Sequence, residues 1–370
     1  MAKAPCIPDQ LPLVDLDWRK LVPQIGRANA ALARYDGMLQ TLPNPALLLS
    51  PMTVNEAVLS SRIEGTQATL DEVLEHDAGI EAPENRRGDI EEISNYRVAV
   101  QIAEAELTDR PLSLALVRTI HQRLMQGVRG RDKAPGAFRD DQNWIGRPGA
   151  TIDQARFVPP NPVVLQQALE NWEAYIVNED EDPIIQAAVA HAQFEILHPF
   201  KDGNGRIGRM LIPLVLYQRR ALSRPMFYLS EHLESNRDEY YDRLLTITDA
   251  KDWQGWIEFF AGALTSQAEA NLAKVRSIRD LYEDMRRRFM EVTHSQFSNN
   301  AVDAFFARPV IRAPDFMAQA GFNTRVTANN MLRQLEAASL IRRVREGNGP
   351  TPAIYALPAL MNITEGRRVF

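Results

Sequence analysis

Twelve consecutive residues constrain this chain more than any others: His198-Pro199-Phe200-Lys201-Asp202-Gly203-Asn204-Gly205-Arg206-Ile207-Gly208-Arg209. An apolar helical pattern from Pro183 to Leu197 runs into the stretch, and a second from Gly205 to Arg220 leaves it. The corner between them therefore lies at the mouth of a buried helix. Yet it holds a histidine, a carboxylate, a glycine–asparagine–glycine turn and two arginines. Few structural needs call for that mixture there, whereas binding and turning over a polyphosphate would.

The chemistry follows residue by residue. Gly203 and Gly205 free the backbone to aim successive N–H groups at one point, an anion nest. The helix that follows adds its own unpaired donors and positive dipole end. Arg206 and Arg209, three apart, share a helix face and can fork onto phosphate oxygens. Asp202 offers the hard oxygen that Mg²⁺ prefers when it is shared with a nucleotide. His198 ends a helix and can act as a general base, a role typically contributing about 10²–10⁴ in rate. Phe200 points into the core and anchors the loop. His191, seven residues upstream of His198, reads as structural, because the two lie about 10 Å apart on a helix and cannot share a metal.

Helical patterns dominate elsewhere, so the chain is expected to be mainly α. They cover about Trp18–Leu39, Met52–Ile63, Leu70–His76, Asp89–Glu106, Ser113–Gln126, Val163–Val177 and Ser235–Thr248, with Pro213 inside the helix after the corner as an expected kink. The proline-rich first forty-odd residues read as an arm packed on the body. One segment, Phe138 to Pro160, breaks the pattern: Asn143-Trp144-Ile145 and Arg156-Phe157-Val158 are extended pieces around a turn containing Gly146, Pro148 and Gly149. They predict an irregular β-hairpin flap. Helices at Trp253–Leu264 and Ser266–Thr293 then lead to a C-terminal module. There, helices Asn300–Ala307, Ala313–Ala320 and Arg325–Ala338 precede a strand–turn–strand with Gly347-Asn348-Gly349 at its turn, resembling a winged helix-turn-helix. The expected divisions are 1–110, 111–250, 251–295 and 296–370.

The 370 residues, 45% of them hydrophobic, suffice for two or three globular domains, and no apolar run reaches a membrane span. The N-terminus from Met1 lacks the apolar core of a secretory signal. A lone cysteine, Cys6, excludes an intramolecular disulfide and fits a reducing cytoplasm. The formal charge of −6 leaves room only for a local nucleic-acid surface.

His198 to Arg209 resembles, at every specified position, the HPFxxGNGRxxR motif of Fic-domain proteins. The resemblance implies a Fic-fold helical bundle with a short β-hairpin flap. It also implies transfer of AMP from Mg·ATP to a Ser, Thr or Tyr hydroxyl of a target protein, with release of pyrophosphate. His198 would deprotonate the hydroxyl, and Asp202 would hold Mg²⁺. The Gly203–Gly205 amides and Asn204 would bind phosphate oxygens, with Arg206 and Arg209 neutralising the β and γ groups. Asn143–Gly146 and Arg156–Pro159 would form edges of a flap that captures the target by main-chain pairing. Tyr240 and Tyr241 lie where the family contacts adenine, though core packing would equally account for either.

A second stretch, Ser60-Ser61-Arg62-Ile63-Glu64-Gly65, places Ser60 and Glu64 on one helix face with Gly65 suited to end the helix. Spacing alone reads as a capped surface helix. The resemblance implies more, since Ser60, Glu64 and Gly65 fit the (S/T)xxxE(G/N) pattern of Fic proteins with an N-terminal inhibitory helix. Glu64 would then pair with Arg209 and take the cation meant for the γ-phosphate.

Three other readings stay open: removal of AMP, transfer of another phosphate-containing group, and a DNA-binding regulator whose Fic body senses nucleotide. The C-terminal module, Phe297 to Leu357, has seven arginines, no lysine and four acidic residues, a balance of +3. Arg325, Asn329 and Asn330 on its third helix are the candidate groove contacts. Protein contact or a homodimer would serve such a module equally well.

Overall fold

The structure, a computed structural model, describes residues 4–127, 132–147, 149–179, 181–348 and 351–369. Met1 to Lys3 at the N-terminus, Pro148 of the expected flap and Gly349 of the expected C-terminal turn lie outside the described residues. In chain order the elements are α1 (Trp18–Thr41), α2 (Pro45–Leu48), α3 (Ser50–Ile63), α4 (Leu70–Asp77), α5 (Glu84–Glu106) and α6 (Leu114–Leu124). Next come α7 (Pro162–Val177), α8 (Pro183–Leu197), α9 (Asn204–Gln218), α10 (Ser230–Ser235), α11 (Arg237–Ala250) and α12 (Trp253–Thr293). The last are α13 (Ser298–Ala307), β1 (Val310–Arg312), α14 (Ala313–Gln319), α15 (Arg325–Ala337), β2 (Arg342–Arg345), β3 (Ile354–Ala356) and α16 (Pro358–Glu365). The fold is mainly α, as the sequence predicts.

The chain divides into two compact units, Met1–Asp36 with Leu59–Thr66 and Glu91–Glu269, and Gly37–Val58 with Gln67–Ile90 and Ala270–Phe370. In the first unit α8 packs on α7 and α9, and α6 and α11 close around that pair. The sequence of α8 explains its central place. Asp182 caps it by accepting from the Ile184 N–H at 2.8 Å, Pro183 supplies a preset first turn, and its residues are apolar or small all round. Every residue from Ile184 to Leu197 is buried except Glu195. Its glutamines bond within the unit: Gln186 donates to the Tyr175 and Asn178 carbonyls, and Gln193 to the Asp9 carbonyl. The arm packs here too, with Trp253 Nε1 and Lys251 both on the Asp9 carboxylate.

Three local expectations change. The two helices expected at Trp253–Leu264 and Ser266–Thr293 are one 41-residue helix, α12. Thr265 does not break it, because its hydroxyl donates back to the Ala261 carbonyl at 2.7 Å. The helix expected at Ser235–Thr248 is α11, starting at Arg237, and a short helix the sequence does not mark, α10, precedes it; Asn236 parts the two by leaving helical geometry, its side chain donating to the His232 carbonyl at 2.8 Å. The flap is less regular than a hairpin ladder. Ile145 and Phe157 form one antiparallel bridge, a short 3₁₀ turn spans Ile152–Gln154, and Trp144 Nε1 donates across the loop to the Ala150 carbonyl at 2.9 Å.

In the second unit, α13, α14 and α15 pack in sequence and a three-stranded antiparallel sheet in the order β1-β3-β2 completes the C-terminal module. That arrangement is compatible with the expected winged helix-turn-helix. The sequence reading lacks β1, a three-residue strand too short to show alternation, and α2 and α16, which start at Pro45 and Pro358.

Candidate active site

The corner between α8 and α9 is built by backbone strain and one amide. His198 ends α8 in the left-handed region, φ 44° and ψ 58°, a conformation costing a non-glycine residue about 1–2 kcal/mol. Gly203 takes the same region at φ 78° and caps α9. The Asn204 side chain fastens the loop on itself: its Oδ1 accepts from the Phe200 N–H at 2.8 Å and its Nδ2 donates to the Phe200 carbonyl at 2.8 Å. Asn204 therefore shapes the corner through its amide, leaving the first N–H groups of α9 to meet an anion. Beneath the loop, Phe200 is fully buried and stacks on His121, with centroids 3.6 Å apart and planes 4° from parallel. His121 Nδ1 accepts from the Gly136 N–H at 2.9 Å, so its Nε2–H donates to the Asp202 carbonyl at 3.0 Å. Burial pushes the His121 pKa down to about 4, keeping it neutral.

Both motif arginines are buried and already paired. Arg206 reaches Glu92 at 2.8 Å and Asp202 at 3.4 Å. Arg209, with a side chain only 1% exposed, donates through Nε to Ser60 Oγ at 3.0 Å. Its NH2 donates to the Ser60 carbonyl at 2.8 Å and to Glu64 Oε1 at 2.7 Å. The chain geometry that delivers Glu64 is local. Helix α3 ends at Ile63, the Glu64 and Gly65 N–H groups bond back to the Ser61 and Arg62 carbonyls, and Gly65 turns the chain away at φ 101°. Glu64 thus sits just past the helix rather than on it, and its carboxylate lies against the α-carbon of Gly205, where a methyl group would collide with it. An acidic side chain occupies the space above the start of α9. Burial pushes the Glu64 carboxyl up, but Arg209, Arg206 and His198 outweigh it and hold its pKa below the ordinary range.

His198 is half-buried. Burial lowers its pKa to about 4 against the opposing pull of Glu64, so the imidazole is neutral at pH 7 and free to take a proton. Of the flap residues, Ile145 and Phe157 exchange main-chain bonds, Trp144 and Ile145 are exposed, and Arg156 reaches Asp242 on α11 at 2.5 Å. The Val158 carbonyl already accepts from the Cys6 N–H of the arm at 2.9 Å, a partner the sequence gives no hint of. Asn143 faces inward and donates to the Phe200 carbonyl at 3.2 Å.

The two tyrosines part company. Tyr240 is 1% exposed and its hydroxyl meets His191 Nε2 at 2.9 Å, with Trp256 and Tyr241 against its ring. A ring so enclosed cannot stack on a base without leaving its place. Tyr241 is half-buried, with the Arg237 guanidinium 5.8 Å from its centroid, and keeps part of its ring open. His191 is fully enclosed, its pKa pushed down by burial to about 3, which agrees with a structural part. Behind Arg209 lies Glu195, on the far side of the Gly208 α-carbon, with its carboxyl pKa raised by burial to about 8. It is the sole charged residue of α8, and that is the signal by which the sequence could have marked it. Glu92 carries no such mark, since beside Glu91 it reads as helix surface.

Among the described residues no three or more His, Cys, Asp or Glu side chains come together to hold a metal ion. A Mg²⁺ held by one carboxylate and by substrate phosphates needs no such cage, and the half-exposed Asp202 side chain suits that arrangement.

A Fic/DOC family N-terminal model matches residues 22–104 and a Fic/DOC family model matches residues 111–216, together about half of the chain. This chain belongs to the Fic family. A probable protein adenylyltransferase of Aquifex aeolicus is 28% identical over 181 residues, which are 47% of this chain and 51% of that protein. A protein adenylyltransferase Fic of Aedes aegypti is 28% identical over 175 residues, 46% of this chain and 32% of that protein. The chain thus spans about half of the length of the first of these curated relatives and about a third of the second. A Fic family protein from Desulfovibrio desulfuricans shares the fold over 94% of this chain and 98% of its own, with a TM-score of 0.60 at 20% identity. Fic-1 of Caenorhabditis elegans (C. elegans) matches 71% of this chain and 75% of the solved chain at a TM-score of 0.54 and 19% identity. No described helix is long and apolar enough to cross a membrane.

Proposed function

We propose that this Fic protein is an autoinhibited protein AMP-transferase. Neutral His198 takes the proton of a target Ser, Thr or Tyr hydroxyl, whose oxygen attacks the α-phosphorus of ATP in line, and pyrophosphate leaves. The N–H groups opening α9 bind phosphate oxygens, Arg206 and Arg209 neutralise the outer phosphates, and the corner excludes water by its burial. Mg²⁺, held by Asp202 and the phosphates, would supply further neutralisation of that charge.

One observation carries the resting state: the Glu64 carboxylate, 2.7 Å from Arg209, lies against Gly205 at the start of α9, where a phosphate would bind. Glu64 and the nucleotide compete for one cation. The test is incubation of the wild-type and Glu64→Gly proteins with α-labelled and γ-labelled ATP. Label retained from the α position alone, with a rate on the order of 10² higher in Glu64→Gly, is the expected result. Retention of γ-label would make the protein a kinase, and an unchanged rate would remove the brake.

A second reading, binding of duplex DNA, is favoured by the face of α15. Ala328, Met331, Leu332 and Leu335 are buried, while Arg325, Asn329 and Arg333 form an exposed row with Asn330 beside it. It would add a partner to the enzyme rather than replace the transfer reaction.

A further inference from the structure

The stem of the flap is fastened to the corner by side chains that the proposed chemistry does not use. Arg139 is 3% exposed. Its Nε donates to the His198 carbonyl at 2.9 Å, and its NH2 to the Pro160 carbonyl at 2.6 Å and the Leu197 carbonyl at 3.3 Å. NH1 donates to the Asp141 carbonyl at 3.1 Å, and the backbone N–H to the Pro199 carbonyl at 2.8 Å. Asp141 and Pro160 are the two ends of the flap; Leu197, His198 and Pro199 are the end of α8 and the start of the corner. Asn143 adds a second tie, its Nδ2 donating to the Phe200 carbonyl at 3.2 Å and reaching the His198 carbonyl at 3.5 Å. Gln142 closes the two stems on each other by donating to the Pro159 carbonyl at 2.9 Å.

Every acceptor of Arg139 is a main-chain carbonyl. The last carbonyls of a helix and those of irregular stems lack donors of their own, and one guanidinium supplies them here. Its charge also sits at the negative end of the α8 dipole, so no buried carboxylate has to accompany it. The fork is planar and rigid, which holds three chain segments at one mutual orientation; a lysine ammonium has no such plane. His198 keeps its left-handed conformation within this frame.

We infer that Arg139 and Asn143 are positioning residues that set the separation between the flap edge at Ile145 and Phe157 and His198, and so bring a target hydroxyl into line with the base. The inference rests on the transfer reaction proposed above. The nucleotide is served by the other side of the corner, where the two Asn204–Phe200 bonds hold the start of α9 and need neither the Arg139 fork nor the Asn143 amide, which only shares the Phe200 carbonyl. Loss of the joint should therefore separate transfer from ATP binding, since a displacement of about 1 Å at a reacting centre can cost roughly 10² in rate.

The experiment compares three proteins, Glu64→Gly alone and with Asn143→Ala or Arg139→Lys. Mg·ATP affinity is measured by calorimetry, self-labelling with α-labelled ATP, and amide hydrogen exchange at Ile145 and Phe157. Both joint variants should bind Mg·ATP within about twofold of the parent, transfer label about tenfold to a hundredfold more slowly, and exchange those amides about tenfold faster. Asn143, half-buried, keeps the test intact where Arg139→Lys fails to fold. Unchanged exchange or undiminished transfer in Asn143→Ala overturns the inference. So does a loss of ATP affinity equal to the loss of transfer. Should the Glu64→Gly parent label nothing, the transfer reading fails by itself, and the exchange rates still decide whether the joint holds the flap.

Discussion

Helices α9 and α15 each carry two arginines, and they use them in opposite ways. At the start of α9, Arg206 and Arg209 are buried and each is met by a carboxylate from the N-terminal region of the chain, Glu92 and Glu64. Along α15, Arg325 and Arg333 are exposed and the helix turns only its apolar face inward. The difference is one of commitment. A buried guanidinium must have a partner, because leaving it unpaired is costly, so whatever replaces Glu64 must itself be an anion of similar reach. An exposed one is solvated already, gains little from any single contact, and binds through the sum of several. On the proposed reading, chemistry and its control would belong to the first kind of site and recruitment to the second.

The sharpest way to break that contrast is at His198. In the Glu64→Gly background, His198→Ala should lower self-labelling by about 10²–10⁴ while leaving retention on duplex DNA untouched; loss of both together would merge the two sites into one. Arg325→Ala should do the reverse. It is expected to weaken duplex binding by about tenfold and to reduce the salt slope by about 1, with transfer unaffected. Absence of duplex binding at low salt would leave α15 to a protein partner.

Smaller effects sharpen the buried half of the comparison. Ser60→Ala removes the Oγ that accepts from Arg209 Nε, and should release the brake by only a few-fold, about 1 kcal/mol, because Glu64 and the Ser60 carbonyl remain. Activation equal to that of Glu64→Gly would mean that Ser60, not Glu64, holds Arg209. The last test is of pH. Burial depresses the pKa values of His121, His191 and His198, so their contribution is complete above about pH 6.5 and is lost as the pH falls towards 4. Glu195 acts in the opposite sense. Its folded pKa is raised to about 8, so its burial becomes costlier as the pH rises from about 4.5 to 8. Glu195→Gln should therefore flatten the alkaline side of the stability profile, with a melting temperature a few degrees higher relative to wild type at pH 8 than at pH 5. A parallel profile would mean that Glu195 is ionised throughout.

Much of this was legible beforehand because α-helices announce themselves by period. Helix α8 matches its predicted bounds at both ends, since Asp182-Pro183 opens it and His198-Pro199 closes it. The motif corner was legible for the same reason that it is chemically odd, too many charges for a buried turn. What escaped was whatever depends on contacts distant in sequence. Arg139, followed by Asp140 and Asp141, reads as a solvated charge run, yet its side chain turns inward to four main-chain carbonyls that no local pattern could bring together. Asn204 reads as a ligand for phosphate, and spends both ends of its amide on Phe200. Tyr240 and Tyr241 are adjacent in sequence, so neither could be assigned to core or cleft until α11 was seen to turn only the first of them onto His191.

The manner in which Glu64 is held sets the character of the control. Its side chain is 33% exposed, it lies beyond the last turn of α3, and the corner it covers is braced by Asn204 whether or not Glu64 is there. On the proposed reading, leaving Arg209 would need no helix to melt, only rotation about side-chain bonds once the ion pair breaks. Under the proposed brake, the resting protein would be an equilibrium between paired and unpaired Glu64 rotamers, with a small open fraction always present. Such a lock would leak. Basal turnover would be set by the population of one rotamer, and an agent that touches the end of α3 would adjust it continuously, without an all-or-none transition.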